Sequence, residues 1–77
     1  MKYNYKDYEN PLSEEMYDVE LAYKAYKASA KDRDLYDKLK ETIYSLSLTL
    51  KMARSCGYLS PVVIDEMNEY YWGLLLW

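Results

Sequence analysis

The 77-residue chain contains no histidine and only one cysteine, Cys56. Without histidine, neither a Ser-His-Asp triad nor a Cys-His pair can form, and a zinc site built from cysteine and histidine is excluded. A single cysteine cannot form an intrachain disulfide, so the small core must be stabilised by helix packing or by association with another chain. Because Cys56 falls at the end of an amphipathic segment, we expect it to be a small packing residue.

The sequence has only two glycines, so it lacks a glycine-rich loop that could hold a phosphate group. Asp32, Asp34 and Asp37 resemble the start of a calcium-binding EF-hand loop. However, the positions that should hold glycine and the final glutamate are Asp37 and Ile43. A carboxylate pair could act as acid and base, but a domain this small offers no obvious substrate cleft. We therefore expect no enzymatic activity, no metal and no cofactor.

Long apolar runs are also missing. The apolar C-terminal residues are too few to span a bilayer, which needs about 20 residues, and three carboxylates precede them. The N-terminal residues carry charge and lack the apolar segment of a signal peptide. These observations predict a cytoplasmic protein without a membrane partner, and the single thiol fits a reducing compartment.

Phenylalanine is absent, whereas the chain has eleven tyrosines and two tryptophans. Tyrosine combines apolar area with a polar tip, so it suits half-buried surfaces and interfaces better than a dry core. Near the N-terminus, Tyr3 and Tyr5 could stack on single-stranded bases. The neighbouring Asp7 and Glu9 favour instead an arm that is disordered or that grips a protein.

Hydrophobic periodicity predicts an all-α fold, a single domain in which three helices form a small bundle. We expect a short irregular arm over residues 1–11 and helices over roughly 12–30, 34–56 and 61–77. In each helix, apolar residues recur at spacings of 3 and 4. The expected core residues are Met16, Val19, Tyr23, Tyr26 and Ala30; then Leu39, Ile43, Leu46, Leu50 and Ala53; then Val63, Met67, Tyr70, Leu74 and Trp77, with Ile64 and Tyr71 at the edge of the third face.

The ends of the predicted helices have suitable capping residues. Gly57 stands where a left-handed residue would end the second helix. Side chains that can accept hydrogen bonds from the first turn precede each helix. The candidate caps are Asn10 or Ser13 for the first helix, Asp32 or Asp34 for the second, and Ser60 followed by Pro61 for the third.

A second apolar stripe is present in the second helix, where Tyr44, Leu48 and Met52 lie about 180° from the core residues. If the first and third helices pack on opposite sides of the second, both stripes are buried. If the three helices form a closed triangle, the second stripe is exposed. A fainter stripe in the first helix comprises Tyr17, Leu21, Ala25 and Ala28.

The third helix carries Trp72 and Leu76 on the same side as Asp65 and Glu69. In a closed triangle, Trp72 and Leu76 would have no partner within the chain. Aromatic anchors inside a charged rim are typical of protein interfaces, so we expect this side to contact another molecule. The predicted protein-binding residues are Tyr44, Leu48, Met52, Asp65, Glu69, Trp72 and Leu76.

Direct DNA binding is not expected. The spacing near Gly57 is similar to that of a helix-turn-helix, but the helix that would enter the major groove has three carboxylates and no basic residue. Those carboxylates would repel phosphate groups. Basic residues of the middle segment are expected to form a solvated face with ion pairs such as Glu20–Lys24 and Asp34–Lys38.

These features favour a protein-binding module that acts by occupying the surface of a partner, and the acidic chain ends suit a basic partner. In composition alone, the chain resembles the small acidic proteins with which phages and mobile elements block host or defence proteins. That resemblance implies an inhibitor whose target could be a nucleic-acid-binding enzyme such as a nuclease complex. The alternatives are a self-assembling homodimer and, less favoured, a regulator that binds nucleic acid.

Overall fold

A computed structural model describes residues 1–30 and 32–76 of the chain. Within these residues the chain is helical and has no strand, which confirms the predicted all-α three-helix bundle. The main helices are α1 (Leu12–Ala28), α2 (Arg33–Ser55) and α3 (Pro61–Gly73). Single 3₁₀ turns cover Tyr5–Asp7 and Leu74–Leu76.

The ends of α2 follow the capping signals. The Asp32 carboxylate accepts hydrogen bonds from the main-chain amides of Asp34 (2.9 Å) and Leu35 (3.2 Å). At the other end, Gly57 has a φ of 77°, and the amide of Tyr58 donates to the Ala53 carbonyl at 2.9 Å. This left-handed ending satisfies carbonyls that the last helical turn leaves unpaired.

The start of α3 also agrees with expectation, because the Ser60 hydroxyl accepts a hydrogen bond from the Val63 amide and Pro61 is the first helical residue. The start of α1 does not. Neither Asn10 nor Ser13 caps it. Instead, the Ser13 hydroxyl donates to the Tyr5 carbonyl at 2.8 Å, and the Ser13 amide donates to the Glu9 carbonyl at 3.0 Å. The N-terminal arm thus takes the place of a side-chain cap.

The helices pack antiparallel along the chain. Tyr26 near the end of α1 packs its ring 5.6 Å from that of Tyr36 near the start of α2. The Ser47 hydroxyl of α2 donates to the Asn68 side-chain oxygen of α3 at 3.1 Å. The short connections between the helices favour this arrangement. The buried core consists of Leu12, Met16, Val19, Ala22 and Tyr26 from α1, Leu39, Ile43, Leu46, Leu50 and Ala53 from α2, and Ile64, Met67, Tyr71 and Leu74 from the last segment.

The predicted core face of α2 is confirmed in full, whereas the outer helices differ in detail. Ala30 is exposed because α1 ends at Ala28 and Ala30 adopts a φ of 56°. In α3 the buried face is centred on Ile64 and Tyr71, and Tyr70 is only half-buried. Trp77, which we expected to complete this face, lies outside the described residues.

The N-terminal arm is not free, contrary to the expectation of a disordered or protein-gripping segment. The Tyr3 ring lies 5.4 Å from that of Tyr70 and 5.9 Å from that of Tyr71. On the other side, the Tyr5 ring lies 4.8 Å from that of Tyr17 on α1. The arm tyrosines therefore link α1 and α3, and this packing occupies the rings that were candidates for stacking on nucleic-acid bases.

Cys56 is exposed, contrary to the expectation of a packing residue, because it occupies the C-cap position of α2 beyond the last buried turn. Among residues 1–30 and 32–76, no helix combines the length and apolar character needed to cross a bilayer.

Candidate protein-interaction surface

The second apolar stripe of α2 is exposed. Tyr44 is 58% exposed, Leu48 46% and Met52 66%. Both α1 and α3 pack on the side of α2 that carries the buried residues, so the opposite side remains open to solvent. The structure therefore selects the exposed alternative for this stripe, which we call the α2 stripe.

Trp72 behaves differently from the expectation. It is half-buried and packs against the core, so it has partners within the chain. The reason lies in the rotation of α3, which turns Trp72 toward α2 on the side where Asn68 bonds to Ser47. Leu76, four residues later, is 88% exposed. The helix that we expected over residues 61–77 ends at Gly73, and Leu76 belongs to the 3₁₀ turn that follows, so Trp72 and Leu76 do not share an environment.

A shallow depression lies where Trp72 meets α2. It has a volume of about 620 Å³ and opens broadly to solvent. Tyr44, the first residue of the α2 stripe, lines it as well, so the structure brings together one predicted residue from each helix. We call this depression the α2–α3 notch, and its lining residues are Asp37, Lys40, Glu41, Tyr44, Ser45 and Trp72.

The remaining predicted residues do not line the notch. Asp65 and Glu69 are exposed on the side of α3 that also carries Trp72. In the described parts of the chain the ion pairs are Lys24–Glu20 (4.0 Å) and Arg33–Asp37 (3.5 Å). Neither Asp65 nor Glu69 takes part in one, so both carboxylates are available to a partner.

Sequence reasoning missed the polar half of the notch, formed by Asp37, Lys40 and Glu41. Their positions, respectively seven, four and three residues before Tyr44, place them on its side of α2, and that spacing could have indicated them. The sequence also predicted an ion pair between Asp34 and Lys38, whereas the ion pair in this turn of α2 joins Arg33 and Asp37.

A second depression, of about 300 Å³, lies between the start of α1 and the end of α2. It is mainly apolar and includes Leu12, Met52 and Cys56 in its lining. No sequence signal pointed to it, because it depends on how two distant helix ends meet.

Ionisable groups with displaced pKa values lie away from the α2 stripe. Burial, followed by repulsion from Asp18 and Glu14, raises the pKa of the Glu15 carboxyl. Burial is also the main cause that raises the pKa of the Tyr71 hydroxyl far above its ordinary value. The described residues contain no group of three side chains suited to holding a metal ion. The surface combines apolar side chains, two open carboxylates and one aromatic notch.

Comparison of the chain with known protein families, curated proteins and solved structures found no match.

Proposed function

We propose that this protein is a protein-binding module whose interaction surface is the α2 stripe together with the exposed side of α3. The observation that carries the proposal is the exposure of Tyr44, Leu48 and Met52 on one side of α2. The apolar residues on the opposite side of the same helix, from Leu39 to Ala53, are all buried. Three large apolar side chains in successive turns of one helix form an exposed patch of the kind that marks interfaces. Aromatic residues and methionine are enriched in such contacts.

The charge distribution supports a basic partner. The chain has a net charge of −3, and residues 55–77 carry three carboxylates and no basic residue. Asp65 and Glu69 stand beside the apolar residues, where they would steer a cationic surface into register. Opposite charges at an interface rim mainly speed association and exclude wrong partners.

The finer proposal is that binding blocks the partner, as the compositional resemblance to phage and mobile-element inhibitors implies. A small rigid chain can inhibit by covering a basic nucleic-acid-binding surface, and its carboxylates would replace the phosphates that the partner normally contacts. If the partner is such an enzyme, added nucleic acid should compete with this protein for it.

A comparison of surface variants tests the proposal. The immobilised wild-type chain is exposed to a bacterial lysate beside a variant that carries Leu48→Glu and Met52→Glu. A matched control carries Leu21→Glu and Ala25→Glu on α1, where both residues are also exposed. We expect a protein that the wild type and the control retain and that the α2 variant loses.

Retention of the same proteins by all three chains would contradict the proposal, provided that circular dichroism shows equal helix content. Mass measurement of the purified chain addresses the homodimer alternative. A dimer that Leu48→Glu dissociates would mean that the α2 stripe pairs with a second copy of the chain.

A further inference from the structure

The α2–α3 notch combines three kinds of side chain in one concave place. Tyr44 and Trp72 supply aromatic rings, Asp37 and Glu41 supply carboxylates, and Lys40 supplies one cation. The inference that follows rests on the proposed function, since it names the group of the partner that this part of the surface holds.

The two rings of the notch differ from the tyrosines around the arm in their aromatic contacts, although Trp72 is half-buried against the core. Within residues 1–30 and 32–76, ring pairs join Tyr3 to Tyr70 and Tyr71, Tyr5 to Tyr17, Tyr26 to Tyr36, and Tyr70 to Tyr71. Neither Tyr44 nor Trp72 belongs to any of these pairs. Three lysines among the described residues lie over aromatic rings, and none of them is at the notch. They are Lys2, Lys6 and Lys27. The aromatic faces of the notch are therefore available to a ligand.

The carboxylates decide which ligand suits those rings. Glu41 is exposed and forms no ion pair among the described residues, while Asp37 is shared with Arg33 at 3.5 Å. An aromatic face and a carboxylate together attract a cation. Among protein side chains, the guanidinium of arginine stacks on rings and forms paired hydrogen bonds with a carboxylate, and it sheds water more readily than the ammonium of lysine.

We infer that the α2–α3 notch receives an arginine side chain of the protein partner, with the guanidinium between the rings of Tyr44 and Trp72 and the carboxylate of Glu41. This assigns the notch an anchoring role within the larger apolar surface. It also gives Trp72 a function that does not require full exposure, since a half-buried ring still offers one face.

Lys40 lines the same notch and carries the same charge as the proposed ligand. Its ammonium repels an incoming guanidinium and competes with it for Glu41. Loss of this charge should therefore strengthen arginine binding, whereas loss of the Glu41 charge should weaken it. A general attraction of cations to an acidic chain cannot produce a local effect of this kind.

Short synthetic peptides test the inference directly. Calorimetry would measure the binding of an arginine-rich peptide and of the same peptide with lysine or with neutral citrulline at each arginine position. We expect the arginine peptide to bind about threefold to tenfold more tightly than the lysine peptide, and the citrulline peptide to bind least. In a Trp77→Phe background, the fluorescence of Trp72 should change on addition of the arginine peptide and not of the citrulline peptide.

Point variants locate the site. Glu41→Gln and Tyr44→Ala should each weaken arginine-peptide binding by about threefold to tenfold, and Lys40→Gln should strengthen it by a similar factor. Matched controls are Glu14→Gln and Lys38→Gln, which remove the same charges from exposed positions outside the notch. These controls should change binding by less than about twofold.

Equal binding of the arginine and citrulline peptides would overturn the inference, as would a Glu14→Gln effect as large as that of Glu41→Gln. Such a result would leave the proposed function standing if the α2 variant still loses a protein that the α1 control retains. Conversely, the peptide measurements do not depend on finding that protein. The two proposals can therefore fail separately.

Discussion

The main-chain amide of Lys2 donates a 2.9 Å hydrogen bond to the Tyr70 hydroxyl, which joins residues 68 positions apart in the sequence. The ring of Tyr3 packs against the same tyrosine, and the amide of Glu9 donates to the Tyr58 hydroxyl at 3.0 Å. The first eleven residues thus form part of the folded domain and contribute to its stability.

Removal of the Tyr3 ring should destabilise the protein. Tyr3→Ala deletes contacts with two tyrosine rings, and we expect the free energy of unfolding to fall by about 1–3 kcal/mol. Tyr44→Ala is the matched control, because that ring is exposed and pairs with no other ring among the described residues; it should cost less than about 0.5 kcal/mol. Urea unfolding measures both values. Equal losses would mean that the arm contacts add nothing to stability.

Two leucines two positions apart on α2 should differ strongly. Leu46 is completely buried, so Leu46→Ala should leave a cavity and cost about 2–5 kcal/mol. Leu48 lies on the α2 stripe, and Leu48→Ala should cost less than about 1 kcal/mol in the monomer. Chemical denaturation of the purified variants checks this order. A large loss for Leu48→Ala would indicate that another surface covers the stripe in solution.

Ala30 and Gly57 both adopt left-handed backbone conformations, and exchanges between alanine and glycine at these positions should have opposite effects. Ala30 adopts a φ of 56°, which costs an L-residue about 1–2 kcal/mol, so Ala30→Gly should stabilise the protein by up to about 1 kcal/mol. Gly57 has a φ of 77° with open space around it, so Gly57→Ala should destabilise by about 1 kcal/mol through backbone strain alone. Thermal unfolding followed by circular dichroism would show both shifts, and the same sign for both would contradict this account.

Stability should fall at high pH because of Tyr71. Burial first, and then the neighbouring Tyr70, raises the pKa of its hydroxyl above the ordinary tyrosine value in the folded state. Below about pH 10 both the folded and the unfolded chain keep this proton, so the stabilising contribution is complete. Above that pH the unfolded chain loses the proton more readily, so the free energy of unfolding decreases.

Tyr71→Phe cannot ionise at this position, so its stability should decline less between about pH 9 and pH 11 than that of the wild type. Tyr44→Phe serves as the control for removal of a tyrosine hydroxyl at an exposed position. Urea unfolding at the two pH values would give the comparison. Parallel curves for wild type and Tyr71→Phe would show that other groups cause any alkaline loss.

The sequence was most informative for α2, where one regular spacing defined all five buried residues from Leu39 to Ala53. The recurrence of apolar residues along α2 determines its buried face, because both α1 and α3 pack near that face. The rotation of α3 was less accessible. The spacing placed Tyr70 on the buried face and Tyr71 at its edge, whereas the structure buries Tyr71 and leaves Tyr70 half-buried, although the Tyr3 ring packs against both.

The candidate surface was only partly predictable for the same reason. The exposure of Leu48 depends on where α1 and α3 pack around α2, and the spacing of apolar residues within α2 alone does not determine this. The pairing of Tyr44 with Trp72 in one notch requires the register between α2 and α3. The arm was predicted poorly because its contacts join distant positions, and such contacts leave no local periodic signal.

The link between the arm and α3 has a kinetic consequence. The α1–α2 hairpin closes through a short connection, whereas the Lys2–Tyr70 and Glu9–Tyr58 contacts close loops of 68 and 49 residues. Long loops cost more entropy to close, so the helices should assemble before the arm packs against them. Changes in the arm should then leave the folding rate nearly constant and accelerate unfolding. The first residues of the chain would thus act as the last contact made and the first one broken.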